Sequence, residues 1–370
     1  MQCILHLKSM ASDSRSCRPD STFVTPRGQN GIRFRLLGVS RAKCYNLLNR
    51  VGTDYCLGGE IGGSRLLRNS FIHMPGVGPS TERWLWEQGL HCWADCLSRE
   101  ASRLCGYDMV STLRACAKES EINLRNGNAS YFDRLLPRSE TWRMYADFKD
   151  SAAFVDTEMA GAQGQREITV IGLFDGRRTK SFVKGKNLSD FRDEIRKYAL
   201  MVTYNGNQSD VPVMRNVFGN IFSNVAHIDL QYALQRLGYA GGLKTIQEQL
   251  GFRRDGWLSS LNGRAAVWLW EEHQKGNKRA LNTLLRYNLE DAVVLRSLAE
   301  AVYNESSSNL PVPVRKLEPG KPPQVDIPYD EELVRRLANK HSLYFQESGD
   351  DQTSPPRPTP RAPRKGRHFR

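Results

Sequence analysis

The segment 151–305 predicts an α/β fold, and three observations carry that expectation. From residue 151 the apolar pattern shortens, and "AAFVDTE", "EITVIGLF" and "TKSFV" read as three short strands, with "DGRR" as the turn between the last two. From 188 helices and strands alternate: "LSDFRDEIRKYA" reads as a helix, "LMVTYN" as a buried strand ending in a polar residue, and "VPVMRNVFG" as the start of a helix with Pro212 in its first turn. Glycines then punctuate the chain. "AHIDLQYALQRLG" is a short strand or turn followed by a helix, "GGLKTIQEQLGF" a helix between glycines, and "GRAAVWLWEEHQKG" and "NKRALNTLLRYNLEDAVVLRSLAEAVYNE" the last two helices.

The flanks differ from this segment. Residues 1–65 scatter Ser, Arg, Gly and Cys without periodicity, as in "SMASDSRSCRPDSTFVTPRGQNG", and are expected to be disordered or even to lie upstream of the true start. Residues 66–145 predict a small helical module. A glycine-rich turn in "NSFIHMPGVGPSTERWLWEQGL" leads into helical spacing through Leu85, Leu90, Trp93 and Leu97, then "STLRACAKESEINL", with "YFDRLLPRSETWRMY" as the bridge to the domain at 146–305. Residues 306–370 are Pro-rich and basic. Most of that extension is expected to be disordered, with "DEELVRRLANKH" as one further helix.

Composition narrows the function. In 370 residues, 39% are hydrophobic and 25% charged, enough for a globular core, and the net charge of +13 favours polyanionic partners such as nucleic acid. No apolar run approaches the roughly 18–20 residues that span a bilayer, and "MQCILHLKSM" reads as neither signal peptide nor anchor. The eight cysteines (Cys3, Cys17, Cys44, Cys56, Cys92, Cys96, Cys105 and Cys116) all fall in the first third. That distribution is unlike a secreted disulfide scaffold and points to a reducing, cytoplasmic setting. Cys92 and Cys96, beside His91, admit a zinc or iron–sulfur site. Their spacing matches no tight Cys-x-x-Cys knuckle, and buried helix-face cysteines are the expectation.

Three segments put carboxylates at special points. Asp156 and Glu158 share one face at the end of an apolar strand, where two like charges repel and need something positive between them. Asp210, in "TYNGNQSDVP", stands past a strand at the start of a helix. In "RYNLEDAVVL", Tyr287 and Asp291 stand four apart on the helix face that also carries Leu284, Leu295 and Leu298. Hard divalent cations satisfy all of these at once, and four carboxylates around two Mg²⁺ or Mn²⁺ ions suit phosphodiester hydrolysis. Asp229 is a further acid, weighed as a fifth ligand against an N-cap for the helix that follows it.

The order Asp-x-Glu, "YNGNQSD", "YNLED" resembles the three motifs of the DEDD superfamily of 3′–5′ exonucleases. Tyr287 four residues before Asp291, with Arg286 where the other branch has His, matches the tyrosine branch. From "FIHMPGVGPSTERWLWEQG" through "GGLKTIQEQLGF" and "AAVWLWEEHQKGN" to "YNLEDAVVLRSLA", about residues 67–305, the chain is similar to the YprB-like ribonuclease H-like family of predicted exonucleases. The resemblance implies a ribonuclease H-like fold: a mixed central sheet with helices on both faces, preceded by the helical module. It makes Asp156, Glu158, Asp210 and Asp291 metal ligands and Tyr287 the residue that orients the water. Met159 departs from the small hydroxyl residue usual after the Glu, and Ser209 from the aromatic that often precedes the second-motif Asp.

"MPGVGPSTERWLW" resembles a helix-hairpin-helix turn. Gly76 and Gly78 would let the backbone approach a phosphate, with Ser80 or Thr81 and Arg83 adding contacts; Asn205 joins this nucleic-acid-binding set from the second motif. The function expected is metal-dependent hydrolysis of DNA or RNA, as a 3′–5′ exonuclease. The alternatives are an endonuclease on the same fold and an inactive nucleic-acid-binding protein.

Overall fold

A computed structural model describes residues 65–161, 166–252, 258, 261, 263–318, 320–337 and 339. The stretch expected to be disordered up to residue 64 and the basic tail from 341 lie outside the described residues, as do Cys3, Cys17, Cys44 and Cys56.

The predicted strands form one sheet. β1 (Ala152–Ala160), β2 (Glu167–Phe174) and β3 (Thr179–Val183) make an antiparallel meander, while β4 (Leu200–Thr203) and β5 (Ala226–Asp229) run parallel to β1, in the order β3-β2-β1-β4-β5. The direct turn at "DGRR" permits the antiparallel pair, and the helix before β4 is the crossover that a parallel neighbour requires. Asp156 pairs with Gly172 and Glu158 with Val170, after which the register slips so that Met159 faces Ile168. The extra residue is Thr169, whose hydroxyl donates to the Glu158 carbonyl at 3.0 Å, a β-bulge beside the acidic pair.

The helices used below are α1 (Pro79–Glu87), α2 (Tyr107–Arg125), α3 (Phe191–Ile195), α4 (Asp210–Phe218), α5 (Leu230–Arg236), α6 (Leu243–Gln249), α7 (Gly263–Gln274) and α8 (Lys278–Ser308). Strand alternation sorts the β1–β3 side chains to two faces. Val155, Leu173 and Phe182 pack with Phe191 of α3 and with Met214 and Phe218 of α4. The opposite face carries α8 in two clusters. Phe154 and Phe174 meet Leu289, Val293 and residues of the helical module, while Val170 and Val183 meet Leu284, Tyr287 and residues of α7. Asp156 and Glu158 lie on this second face, at the seam between the two clusters.

The helical module shares the first of those cores, and a largely buried ionic cluster within it also reaches α5. Glu82 of α1 accepts from the Phe71 and Ile72 amides (2.7 and 3.0 Å) and from Arg143 Nη1 (2.9 Å); Arg143 Nε donates to Glu140 (2.7 Å), which also pairs with Arg236 of α5. The motif "STERW" thus contains a structural acid that sequence spacing did not expose.

Two expectations are corrected here. Helix α8 runs to Ser308, past the expected boundary at 305, and residues 310–337 are packed. Asn304 and Leu317 exchange two hydrogen bonds (2.7 and 2.8 Å), Gly320 bonds with Ser297 and Glu300, Arg286 reaches the Ile327 carbonyl, and the Asp330 amide donates to Thr283. The segment returns antiparallel along one side of α8 and ends in helical turns over 331–337 that bury Leu333, Val334 and Leu337 beside Tyr287. Proline-rich composition argues against regular structure, but side-chain bonds to the loop backbone and the apolar pattern of its last turns supply the ordering. Among the described residues, no helix is long and apolar enough to cross a membrane.

Candidate metal centre

Asp156 and Glu158 arrive at the seam on β1, and Asp291 on α8, with one carboxylate oxygen from each lying within 4.8 Å of the others. Glu158 and Asp291 are buried and Asp156 half-buried. Three like charges so close raise one another's energy unless a proton or a cation intervenes. Their donors are all carboxylate oxygens, which fits a hard cation of the Mg²⁺ or Mn²⁺ kind rather than a thiophilic metal.

Asp210 is not within that 4.8 Å group, but it stands near Asp156. Burial, reinforced by the Asp156 charge, pushes its carboxyl well above the usual range, while the Ser209 hydroxyl, donating at 2.8 Å, opposes the shift. Ser209, a departure from the family pattern, is therefore the hydrogen-bond partner of the acid it precedes.

The loop carrying Asp210 is fixed from below by Asp229, whose carboxylate accepts from the amides of Asn205 (2.7 Å), Asn207 (2.9 Å) and Gln231 (3.1 Å). Bonding to Gln231 makes it the N-cap of α5, and bonding to Asn205 and Asn207 makes it the anchor of the second motif. Asn205 has φ +59°, a left-handed conformation that asparagine tolerates, and Gly206 crosses Thr203 so closely that a Cβ would lie 2.2 Å from its hydroxyl. That hydroxyl bonds His227 at 2.8 Å, and burial pushes the His227 pKa down to about 3, so the imidazole is a neutral structural part.

Tyr287 lies one turn before Asp291, with 5% of its surface exposed, and the Lys244 ammonium sits 4.9 Å from its ring centroid. That cation–π contact was not legible in the sequence, although "GGLKT" was read as a helix start. Asn288 was also missed. It is fully buried, and its Nδ2 donates to Asp156 Oδ2 at 2.8 Å. The signal for it is Gly172, a lone glycine inside a strand, which marks a close approach.

The module residues fall elsewhere. Gly76 is exposed with φ +77°, whereas Gly78 has φ −96° and needs no glycine; a Cβ on either would meet open space. Thr81 and Arg83 lie on α1, half-buried and exposed. The helix before this turn is a short 3-10 segment, Leu66–Asn69. Cys92 is disulfide-bonded, a departure from the free thiols expected; Cys96, Cys105 and Cys116 are free, and burial raises the pKa of each, that of Cys96 to about 12. Among the described residues, the group with metal-ligand geometry is the carboxylate triad and contains no cysteine.

Residues 153–303 match the family model described as the RNase_H superfamily, a stretch that begins in β1 and ends in α8. No curated protein gave a match. Solved structures similar to the chain include the family B DNA polymerase from the hyperthermophilic archaeon Pyrobaculum calidifontis, at 15% identity and a TM-score of 0.31. That alignment covers 41% of this chain and 25% of the polymerase, so the chain spans about a quarter of its length and inherits nothing of its activity. The mixed five-stranded sheet with its flanking helices, together with the matched stretch, defines a ribonuclease H-like fold.

Proposed function

We propose that this protein is a metal-dependent nuclease, a 3′–5′ exonuclease of the tyrosine branch similar to the YprB-like family. The observation that carries the reading is the convergence of Asp156, Glu158 and Asp291 within 4.8 Å on a ribonuclease H-like sheet. These three acids, with Asp210 beside Asp156, would hold two Mg²⁺ or Mn²⁺ ions. When bound, such ions supply an activated water and neutralise charge on the leaving oxygen of an in-line displacement.

The chain's own residues do the rest. The Asp229 anchor holds Asn205 and Asp210 on one short loop, so a substrate contact and a ligand keep a fixed separation. Tyr287, one turn before Asp291 on α8, would orient the attacking water. The turn Gly76–Gly78, with Thr81 and Arg83, receives the nucleic-acid backbone. A net charge of +13 draws the polyanionic strand in before any specific contact forms. The cellular setting we infer is cytoplasmic.

Release of mononucleotides from strands labelled at either end, with and without Mn²⁺, tests the reading. A 3′–5′ exonuclease shortens the strand from its 3′ end and is silent in chelator; internal cuts would make it an endonuclease, and binding without cleavage a tether. Tyr287→Phe should lower kcat by at most about 10²–10⁴-fold and leave strand affinity unchanged. A loss of affinity with kcat intact would make Tyr287 a substrate contact instead.

A further inference from the structure

We infer that Asn288 is a positioning residue for Asp156 and that Gly172 is the gap in β2 that admits it. The inference rests on the metal-dependent reading above and assigns a role within the same site to two residues outside its ligand set.

Asp156 is the most exposed acid of the triad, and repulsion from Glu158 and Asp291 drives it toward water. Asn288 opposes that drift. It lies on α8 between Tyr287 and Asp291, and its Nδ2 donates to Asp156 Oδ2 at 2.8 Å. The orientation of the amide follows from chemistry: the flipped form would set Oδ1 against a carboxylate oxygen, two acceptors facing each other.

Holding this pose is costly to the fold. Asn288 Oδ1 is buried with no hydrogen-bond partner, an exception of the kind that collects at functional sites. It lies over Gly172, the ladder partner of Asp156, where a Cβ would stand 2.3 Å from Oδ1 and 3.0 Å from Cγ. Any side chain at 172 therefore displaces the carboxamide. A bond from a neutral donor fixes the carboxylate without cancelling its charge, so Asp156 stays a full-strength ligand already aimed at its neighbours. An arginine at 288 would tie the same oxygen but neutralise it.

The test uses the full chain with Asn288→Ala, Gly172→Ala and the two combined. Mn²⁺ binding is measured by calorimetry, melting in chelator, strand affinity in chelator, and hydrolysis against Mn²⁺ concentration. Asn288→Ala should weaken Mn²⁺ binding about 10–100-fold and raise the half-saturating Mn²⁺ alike, with metal-free strand affinity unchanged. Gly172→Ala should do the same by pushing the carboxamide away. In the double variant the collision is gone, so metal-free melting should recover relative to Gly172→Ala while Mn²⁺ affinity stays low. Recovery of parental Mn²⁺ binding in the double variant would reduce Asn288 to packing and overturn the inference. So would parental Mn²⁺ binding by Asn288→Ala when Asp156→Asn abolishes it. If Asn288→Ala alone fails to fold, Gly172→Ala and the double variant decide the matter in the same terms. If the unaltered protein binds no Mn²⁺ and Asp156→Asn changes nothing, the metal-dependent reading has failed, and this inference with it.

Discussion

Glu82 and Glu140 in the helical module meet the guanidinium of Arg143, and Glu140 that of Arg236 as well. Asp156, Glu158 and Asp291, at the seam between β1 and α8, lie within 4.8 Å of one another, and Asp156 accepts from a neutral amide, that of Asn288. Both groups sit largely out of water. The first carries its own counter-charge within hydrogen-bond distance, so its energy is settled when the chain folds. In the second, one carboxylate oxygen of each acid lies within 4.8 Å of the others, and the Asp156 charge helps push the neighbouring Asp210 carboxyl up. A buried acid with a fitted arginine is a fastening; buried acids set against one another are where we propose that a cation is held.

Asp156→Asn should separate the two most widely. Hydrolysis of an end-labelled strand should fall by orders of magnitude, while chelator-treated protein unfolds at the parental denaturant concentration or slightly above it, because repulsion with Glu158 is relieved. Undiminished Mg²⁺-dependent hydrolysis by Asp156→Asn would remove the contrast. Arg143→Leu should do the reverse. It strands Glu82 in the interior, leaves Glu140 with Arg236 alone, and should cost about 3–5 kcal/mol in urea unfolding. Metal binding by the fraction that remains folded should be unaffected.

A pH series sharpens the comparison, because each region holds one buried imidazole. His73, in the module, is pushed to a pKa of about 3 by burial and then by Arg143; His227, beneath the Asp210 loop, is pushed to about 3 by burial and then by Arg138 and Arg215. Unfolded histidine titrates near 6.5. Both folded values lie below that, so the stability they contribute is complete above about pH 6.5 and is lost as pH falls toward about 3. Melting temperature in chelator should decline across that window, and His73→Gln or His227→Gln should each flatten part of the decline. The smallest effect belongs to the glycine turn. Gly78→Val points into open space at an ordinary φ, so the fold should persist while affinity for long strands drops with little change in salt slope. Arg83→Ala should lower that slope by about one. Unchanged affinity in a folded Gly78→Val would leave the turn a purely structural device.

The sheet was largely legible because strand length and turn chemistry are local signals: β1 to β4 lie where their apolar runs and the "DGRR" turn put them, and β5 falls where the sequence left a short strand or a turn open. The triad was legible as well, since i,i+2 on a strand and i,i+4 on a helix fix faces without knowledge of the fold. What stayed hidden depends on pairs distant in sequence. Asn288 meets Asp156 across 132 residues, and the trace it leaves in the sequence is a lone glycine in the neighbouring strand, Gly172. Arg143 and Glu82 are 61 apart, and no local spacing links them. The helical turns over 331–337 fall in "DEELVRRLANKH", where a helix is expected, but the order of residues 310–318 and 320–330 was hidden for another reason: it comes from the flank of α8, and composition records only what a segment does alone.

That returning segment also sets an order of events during synthesis. Thr283 of α8 waits for the Asp330 amide, 47 residues further along the chain, and Arg286, Ser297, Glu300 and Asn304 on the same flank wait for residues between 317 and 327. Domains emerging from the ribosome fold as units once their parts are available. The helix that bears Tyr287 and Asp291 therefore cannot be fully clad while residues 317–337 are still inside the exit tunnel. A nascent chain should complete the flank of its carboxylate cluster late, after most of its sheet has formed.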